Sequence, residues 1–142
     1  MIRTFRGSDL SAVMEIWLDT NIKAHSFISK EYWTSNYEKV KEILPNAEVY
    51  VYEDDDTNLI DGFIGLTDCY IAGLFVKETA QSKGIGKQLL DHMKGIKSNM
   101  SLSVYQGNVR AVHFYQREQF QIQSENIDDN TNKKELIMTW SK

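Results

Sequence analysis

The chain contains one cysteine, Cys69, and one proline, Pro45. A lone thiol forms no intrachain disulfide and no CxxC knuckle, and with three scattered histidines it makes no zinc set, so no metal is expected. A lone proline makes no linker, and no repeat or low-complexity tract interrupts the chain, so one domain over residues 1–142 is the simplest organisation. No apolar run reaches the roughly 18 residues a membrane span requires. The opening MIRTFRGSD has no apolar h-region, which makes the cytoplasm the default location. A large charge of one sign is missing as well: 16 Lys and Arg against 20 Asp and Glu leave a net −4. No global attraction to nucleic acid or to an anionic membrane is expected from that balance.

What is present suits a globular fold. The 42% of hydrophobic residues over 142 positions are enough for one core. Ile2 to Arg6 reads as a short strand. Ser8 is placed to cap a helix carrying Leu10, Val13, Met14, Trp17 and Leu18 on one face. A polar-rich helix covers part of Lys30 to Leu44 and stops before Pro45. EVYVYE at Glu48–Glu53 favours a strand, and Asp54 to Asn58 a turn. Leu59–Thr67 and Tyr70–Val76 read as strands joined near Asp68. A helix then runs to about Lys97, followed by a strand around Leu102 and Val104 and a helix from Val109 to Glu118. Strands near Phe120–Glu125 and Glu135–Trp140 flank a polar turn from Ile127 to Lys133. The order β-α-α-β-β-β-α-β-α-β-β implies a mixed α/β or α+β sheet with helices on its faces and one parallel crossover between Tyr70 and Tyr105.

The stretch QSKGIGK, Gln81 to Lys87, is the most informative text in the chain. A P-loop requires glycine where Gln81 stands and serine or threonine where Gln88 stands. A dinucleotide fingerprint requires a third glycine where Leu89 stands. The pattern Gln/Arg-x-x-Gly-x-Gly/Ala is satisfied in full, after an apolar strand and at a helix start. There the unpaired N–H groups and the dipole of a first helical turn favour an anion, and glycines let it approach. Lys83 and Lys87 add positive charge at the rim. A plain glycine turn with solvated lysines satisfies the same six residues.

Three stretches carry a resemblance: YIAGLFV, then QSKGIGKQLLDHM, then LSVYQGNVRAVHFYQREQF, with Asn108, Ala111, Phe114, Tyr115 and Phe120 at the spacing N-x-x-A-x-x-F-Y-x-x-x-x-F. Residues 70–120 resemble the GNAT superfamily of acetyl-CoA-dependent N-acetyltransferases, and Trp17, His25-Ser26-Phe27 and Tyr32-Trp33 extend the likeness into the first half. The resemblance implies a mixed, mostly antiparallel sheet of about seven strands flanked by about four helices. It implies acetyl-CoA as co-substrate, with Gln81, Ser82, Lys83, Gly84, Ile85, Gly86 and Lys87 around its pyrophosphate and Leu74, Phe75 and Val76 pairing with its pantetheine arm. Asn108 would contact the coenzyme while also capping its helix. Gly73 suits a bulge or a close backbone approach on that strand.

The same likeness sets out the chemistry. An amine with a pKa of about 10 must lose a proton before it attacks a thioester, and the departing thiolate needs a hydrogen bond or a proton. Tyr115 falls at the family's acid position. The base is less direct, because Ser103 stands where many relatives carry glutamate. Serine can only hold a water there, and His25 is the best side chain by pKa. His92 and His113 fall inside helices and read as structural. Tyr70, Phe27 and Trp33 are candidates for the acceptor wall. The acceptor is a small-molecule or protein amine, and the chain a monomer or homodimer. A binding-only acetyl-CoA sensor on the same fold is the alternative. Gln119 departs from the family's helix-ending glycine, so it must take a costly left-handed backbone or leave the helix by another route.

Overall fold

The computed structural model describes all 142 residues. β1 (Ile2–Thr4) is followed by a short 3-10 turn (Gly7–Asp9), α1 (Leu10–Ala24) and α2 (Lys30–Ile43). Then come β2 (Glu48–Glu53), β3 (Ile60–Thr67), β4 (Tyr70–Val76), α3 (Ile85–Lys94), β5 (Asn99–Tyr105), α4 (Val109–Arg117), β6 (Gln121–Asp128) and β7 (Lys133–Ser141). The seven strands form one sheet in the order β1-β2-β3-β4-β5-β7-β6. Every neighbouring pair is antiparallel except β4 and β5. This is the mixed, mostly antiparallel sheet of seven strands with four helices that the family resemblance implies.

Alternation along the strands sends side chains into two cores. Val49, Val51 and Phe63 meet α1 and α2 through Val13, Met14, Trp17 and Trp33. Ile64, Leu66, Leu102 and Val104 meet α3 and α4 through Leu89, Leu90, Met93 and Tyr115. Gly62 permits the close fit of α3, since a Cβ there would lie 2.9 Å from the Phe75 carbonyl and 3.2 Å from Ile85 Cγ2. β6 lies at the sheet edge and its first seven residues are exposed on both faces.

Several boundaries differ from the sequence reading. Ser8 does not cap α1; it lies inside the 3-10 turn, and Asp9 takes the cap position. The buried Asp9 carboxylate is already committed. It accepts from Arg3 Nη1 at 2.8 Å, Arg3 Nη2 at 2.9 Å and the Arg6 backbone N–H at 2.8 Å. α3 ends at Lys94 rather than Lys97: Ile96 N–H bonds the Met93 carbonyl three residues back at 3.0 Å in a tightened last turn, and Lys97 Nζ reaches Glu48 at 2.8 Å. The last two strands are longer than expected and the turn between them shorter. Asp128 accepts from Asn132 N–H at 2.7 Å, and Asn132 takes the left-handed φ of 59° that asparagine tolerates.

Of the two routes open to Gln119, the chain takes the costly one: its φ is +74°. The rest of the helix-ending motif is intact. Gln119 N–H bonds the Gln116 carbonyl at 3.1 Å, Phe120 N–H bonds the Tyr115 carbonyl at 2.9 Å, and the Tyr115 and Phe120 rings meet at 5.6 Å. Packing of Phe120 into the core therefore holds a backbone that disfavours a side chain. Replacing Gln119 with glycine should raise stability by about 1 kcal/mol, seen as a melting point higher by about 3 °C. An unchanged or lower melting point would show that the Gln119 side chain contributes more than its backbone costs.

Candidate active site

β4 and β5 pair at only two positions, Tyr70 with Ser101 and Ile71 with Leu102. Immediately beyond, β4 carries an extra residue. Gly65 of β3 faces Gly73 and Leu66 faces Ile71, which leaves Ala72 bulged. A bulge increases local twist and bends the strand, and the two strands part at this point. Leu74, Phe75 and Val76 remain bonded to β3 on one edge, while the other edge faces a groove of about 1210 Å³. The Phe75 ring folds back over Gly73, where an added Cβ would come within 2.2 Å of it. This is the close approach for which a glycine in this strand was suited.

The groove ends on the glycine turn. Ser82 and Gly84 both adopt positive φ, 68° and 80°, and α3 starts at Ile85. No N–H from Ser82 through Lys87 has an acceptor within the protein; the first bond of the helix is Gln88 N–H to the Gly84 carbonyl at 3.0 Å. Consecutive unpaired N–H groups at a helix start form an anion cradle. Gly86 is not sterically demanded, since an added Cβ would meet Phe114 and Val76 at ordinary contact distances of 3.5 and 3.6 Å, in keeping with a motif that admits alanine there.

α4 forms the opposite wall through Asn108, Ala111, Phe114 and Tyr115. Asn108 caps the helix as expected, its Oδ1 accepting from Ala111 N–H at 3.3 Å. Its Nδ2 reaches His25 Nε2 at 3.3 Å, joining residues far apart in sequence. His25 Nδ1 lies 2.9 Å from the Asn21 carbonyl, which can only accept, so Nδ1 carries the proton and Nε2 offers its lone pair. The ring is buried, stacked on Trp33 at 5.1 Å and met edge-on by Phe27 and Tyr105 at 5.8 and 5.2 Å. Burial lowers the His25 pKa and keeps the imidazole neutral. Tyr115 is also buried, and burial alone raises its pKa, so the phenol keeps its proton.

The groove thus brings together His25, Leu74, Phe75, Val76, Asn108, Tyr115 and, from the turn, Gln81, Ser82, Gly84, Ile85, Gly86 and Lys87. Lys83 stands outside it, and Lys87 is engaged by Asp91 and Glu118 at 3.1 and 3.2 Å. Phe27 and Trp33 support the His25 ring from behind rather than lining the groove. Tyr70 is 42% exposed at the paired end of β4, away from the groove. Ser103 does not reach the groove either. Two groups escaped the sequence reading. Asn21 fixes the His25 tautomer through its main-chain carbonyl, for which no side-chain signal exists. Arg110 Nη1 donates to Gln81 Oε1 at 2.7 Å beside the turn. Its signal was a cation in a first helical turn, where the dipole disfavours one.

A parted parallel pair, an unpaired strand edge and a glycine cradle at a helix start define an acyl-coenzyme acyltransferase type of site. A GNAT acetyltransferase domain model matches residues 45–122. The chain belongs to the GNAT acetyltransferase family. It is 34% identical over 142 residues to the Escherichia coli peptidyl-lysine N-acetyltransferase YiaC, covering 99% of this chain and 96% of that one. The solution structure of apo YjaB from E. coli superposes with a TM-score of 0.87 at 25% identity, covering 99% and 96% of the two chains. The fold also matches that of yncA from Salmonella typhimurium with acetyl-CoA, at a TM-score of 0.67 and 15% identity, over 99% of this chain and 92% of that one.

The neutral His25 has a consequence for stability. The unfolded chain takes up the histidine proton near its ordinary pKa of about 6.5, before the folded protein does. Above that pH neither state is protonated and stability is unaffected; as pH falls through it, stability is lost. His25→Asn keeps a donor for Asn21 and cannot titrate, so its denaturant midpoint should fall less between neutral and mildly acidic pH. Equal slopes for the two proteins would refute the assignment.

Proposed function

We propose that the chain transfers the acetyl group of acetyl-CoA to the side-chain amine of a peptidyl lysine. The observation that carries this reading is the parting of β4 from β5 beside the cradle of unpaired N–H groups. It leaves a strand edge where an amide-bearing pantetheine arm can bond as an extra strand, and an anion site where a diphosphate can end. The lysine acceptor is supported by the 34% identity to an enzyme described as a peptidyl-lysine N-acetyltransferase.

Acetyl-CoA, when bound, supplies an acyl carbon activated by its thioester. His25 Nε2 takes the proton that the lysine amine loses as the N–C bond forms. Neutral His25 is suited to this, since its tautomer leaves that nitrogen free of hydrogen and Asn108 can release it by turning its amide to the coenzyme. The β4 edge offers main-chain N–H donors for the charge developing on the carbonyl oxygen. Tyr115 gives its hydroxyl proton to the sulfur as the C–S bond breaks. Burial keeps Tyr115 protonated, so the proton is in place when the thiolate leaves.

Thiol release from acetyl-CoA should be measured with lysine peptides, N-terminal amine peptides and small amines. Lysine peptides should turn over, and Tyr115→Phe should retain coenzyme binding while losing on the order of 100-fold or more in kcat. Coenzyme binding with no release for any acceptor would make the protein a binding module. Near-normal turnover by Tyr115→Phe would remove the acid from the mechanism.

A further inference from the structure

The groove contains a charge arrangement that the reaction chemistry does not use. Arg110 lies in the first turn of α4, where the helix dipole is already positive. It faces the first turn of α3, whose N–H groups are also unpaired. A guanidinium placed there without an anion works against both dipoles. Its protein partners are neutral: Gln81 Oε1 at 2.7 Å and Ser82 Oγ at 3.4 Å. Glu78 and Glu118 are already paired, the first with Lys23 and the second with Lys87 and Lys94. Arg110 forms no salt bridge and is exposed on the groove wall.

Gln81 explains how this arrangement is held. Its Nε2 donates to the Val76 carbonyl at 3.0 Å, at the end of β4. Its Oε1 is thereby turned outward to accept from Arg110. One amide therefore ties the last residue of the groove strand to the guanidinium. Ser82, in its left-handed conformation, presents its hydroxyl to the same group.

We propose that Arg110 binds the diphosphate of the coenzyme through charge-assisted hydrogen bonds, and that Gln81 is the positioning residue that aims it over the glycine turn. This rests on the acetyl-CoA reading and adds to it the side-chain cation that the turn otherwise lacks. Lys83 and Lys87 do not fill that role, the first lying outside the groove and the second committed to carboxylates.

The test is calorimetric titration of acetyl-CoA and of dephospho-coenzyme A, which lacks the ribose phosphate. Wild type, R110A, R110K, Q81A and the double variant Q81A/R110A are compared, with thermal melts to confirm folding. R110A should weaken both ligands by roughly tenfold or more and by the same factor, and R110K should recover part of the loss. Q81A should weaken binding severalfold in the presence of Arg110 and not at all in R110A. In steady-state turnover R110A should raise the KM for acetyl-CoA by a larger factor than it lowers kcat. Unaltered binding by R110A overturns the proposal. So does a loss that vanishes with dephospho-coenzyme A, which would assign Arg110 to the ribose phosphate. Additive effects of Q81A and R110A overturn the role of Gln81. If wild type itself binds neither ligand, the acetyl-CoA reading fails and this assignment with it, an outcome distinct from selective failure of the variants.

Discussion

The two residue pairs that join β4 to β5 are the constraint on which the site depends. Had the pairing continued to Val76, the polar edge of β4 would have been satisfied by β5 and no groove would exist. The bulge at Ala72 ends the pairing by twisting β4 away, and a strand edge with unmet main-chain groups is left inside the protein rather than at its rim. Such an edge is a liability unless a ligand completes it. The helices that follow β4 and β5 start where the strands have separated, so the positive ends of α3 and α4 point into the same gap.

The groove is held at some local cost. Ser82 accepts a left-handed backbone that disfavours its side chain, and Gln119 does the same at the far end of α4. Both positions are secured by what surrounds them. The Phe120 ring, packed on Tyr115, fixes the exit of α4. The Asn108–His25 contact ties the start of α4 to the end of α1. One wall of the groove is therefore pinned at both ends, and the buried Tyr115 and the neutral His25 imidazole lie on elements tied to each other.

Much of the fold could be read from the chain because its signals are local. The β-favouring residues of EVYVYE, the apolar run YIAGLFV, the helix faces and the single crossover lead to the sheet observed. Ser8 misled because a cap residue can be displaced by a neighbour with a stronger partner, and the Arg3 guanidinium selects Asp9. Boundaries at Lys97 and around Ile127 shifted for a similar reason. Distant Glu48 draws Lys97 out of the helix, and hydrogen bonds to Asp128 tighten the last turn. The glycine turn and Asn108 were legible in place and in role as a cap. Lys83 and Lys87 were legible only as charges, and charge does not state direction.

What the sequence by itself determined is the cradle. The spacing of Gln81, Gly84 and Gly86 after an apolar strand and before a helix fits a turn with unpaired N–H groups and room for an anion, all properties of a few consecutive peptide units. Tertiary structure decided which side chains meet around the groove. His25 meets Asn108, and Gln81 meets Arg110, across separations in sequence of 83 and 29 residues. Such meetings depend on how the strands part and how the helices pack, because a side chain's partner is set by the elements that converge on it and not by its neighbours along the chain.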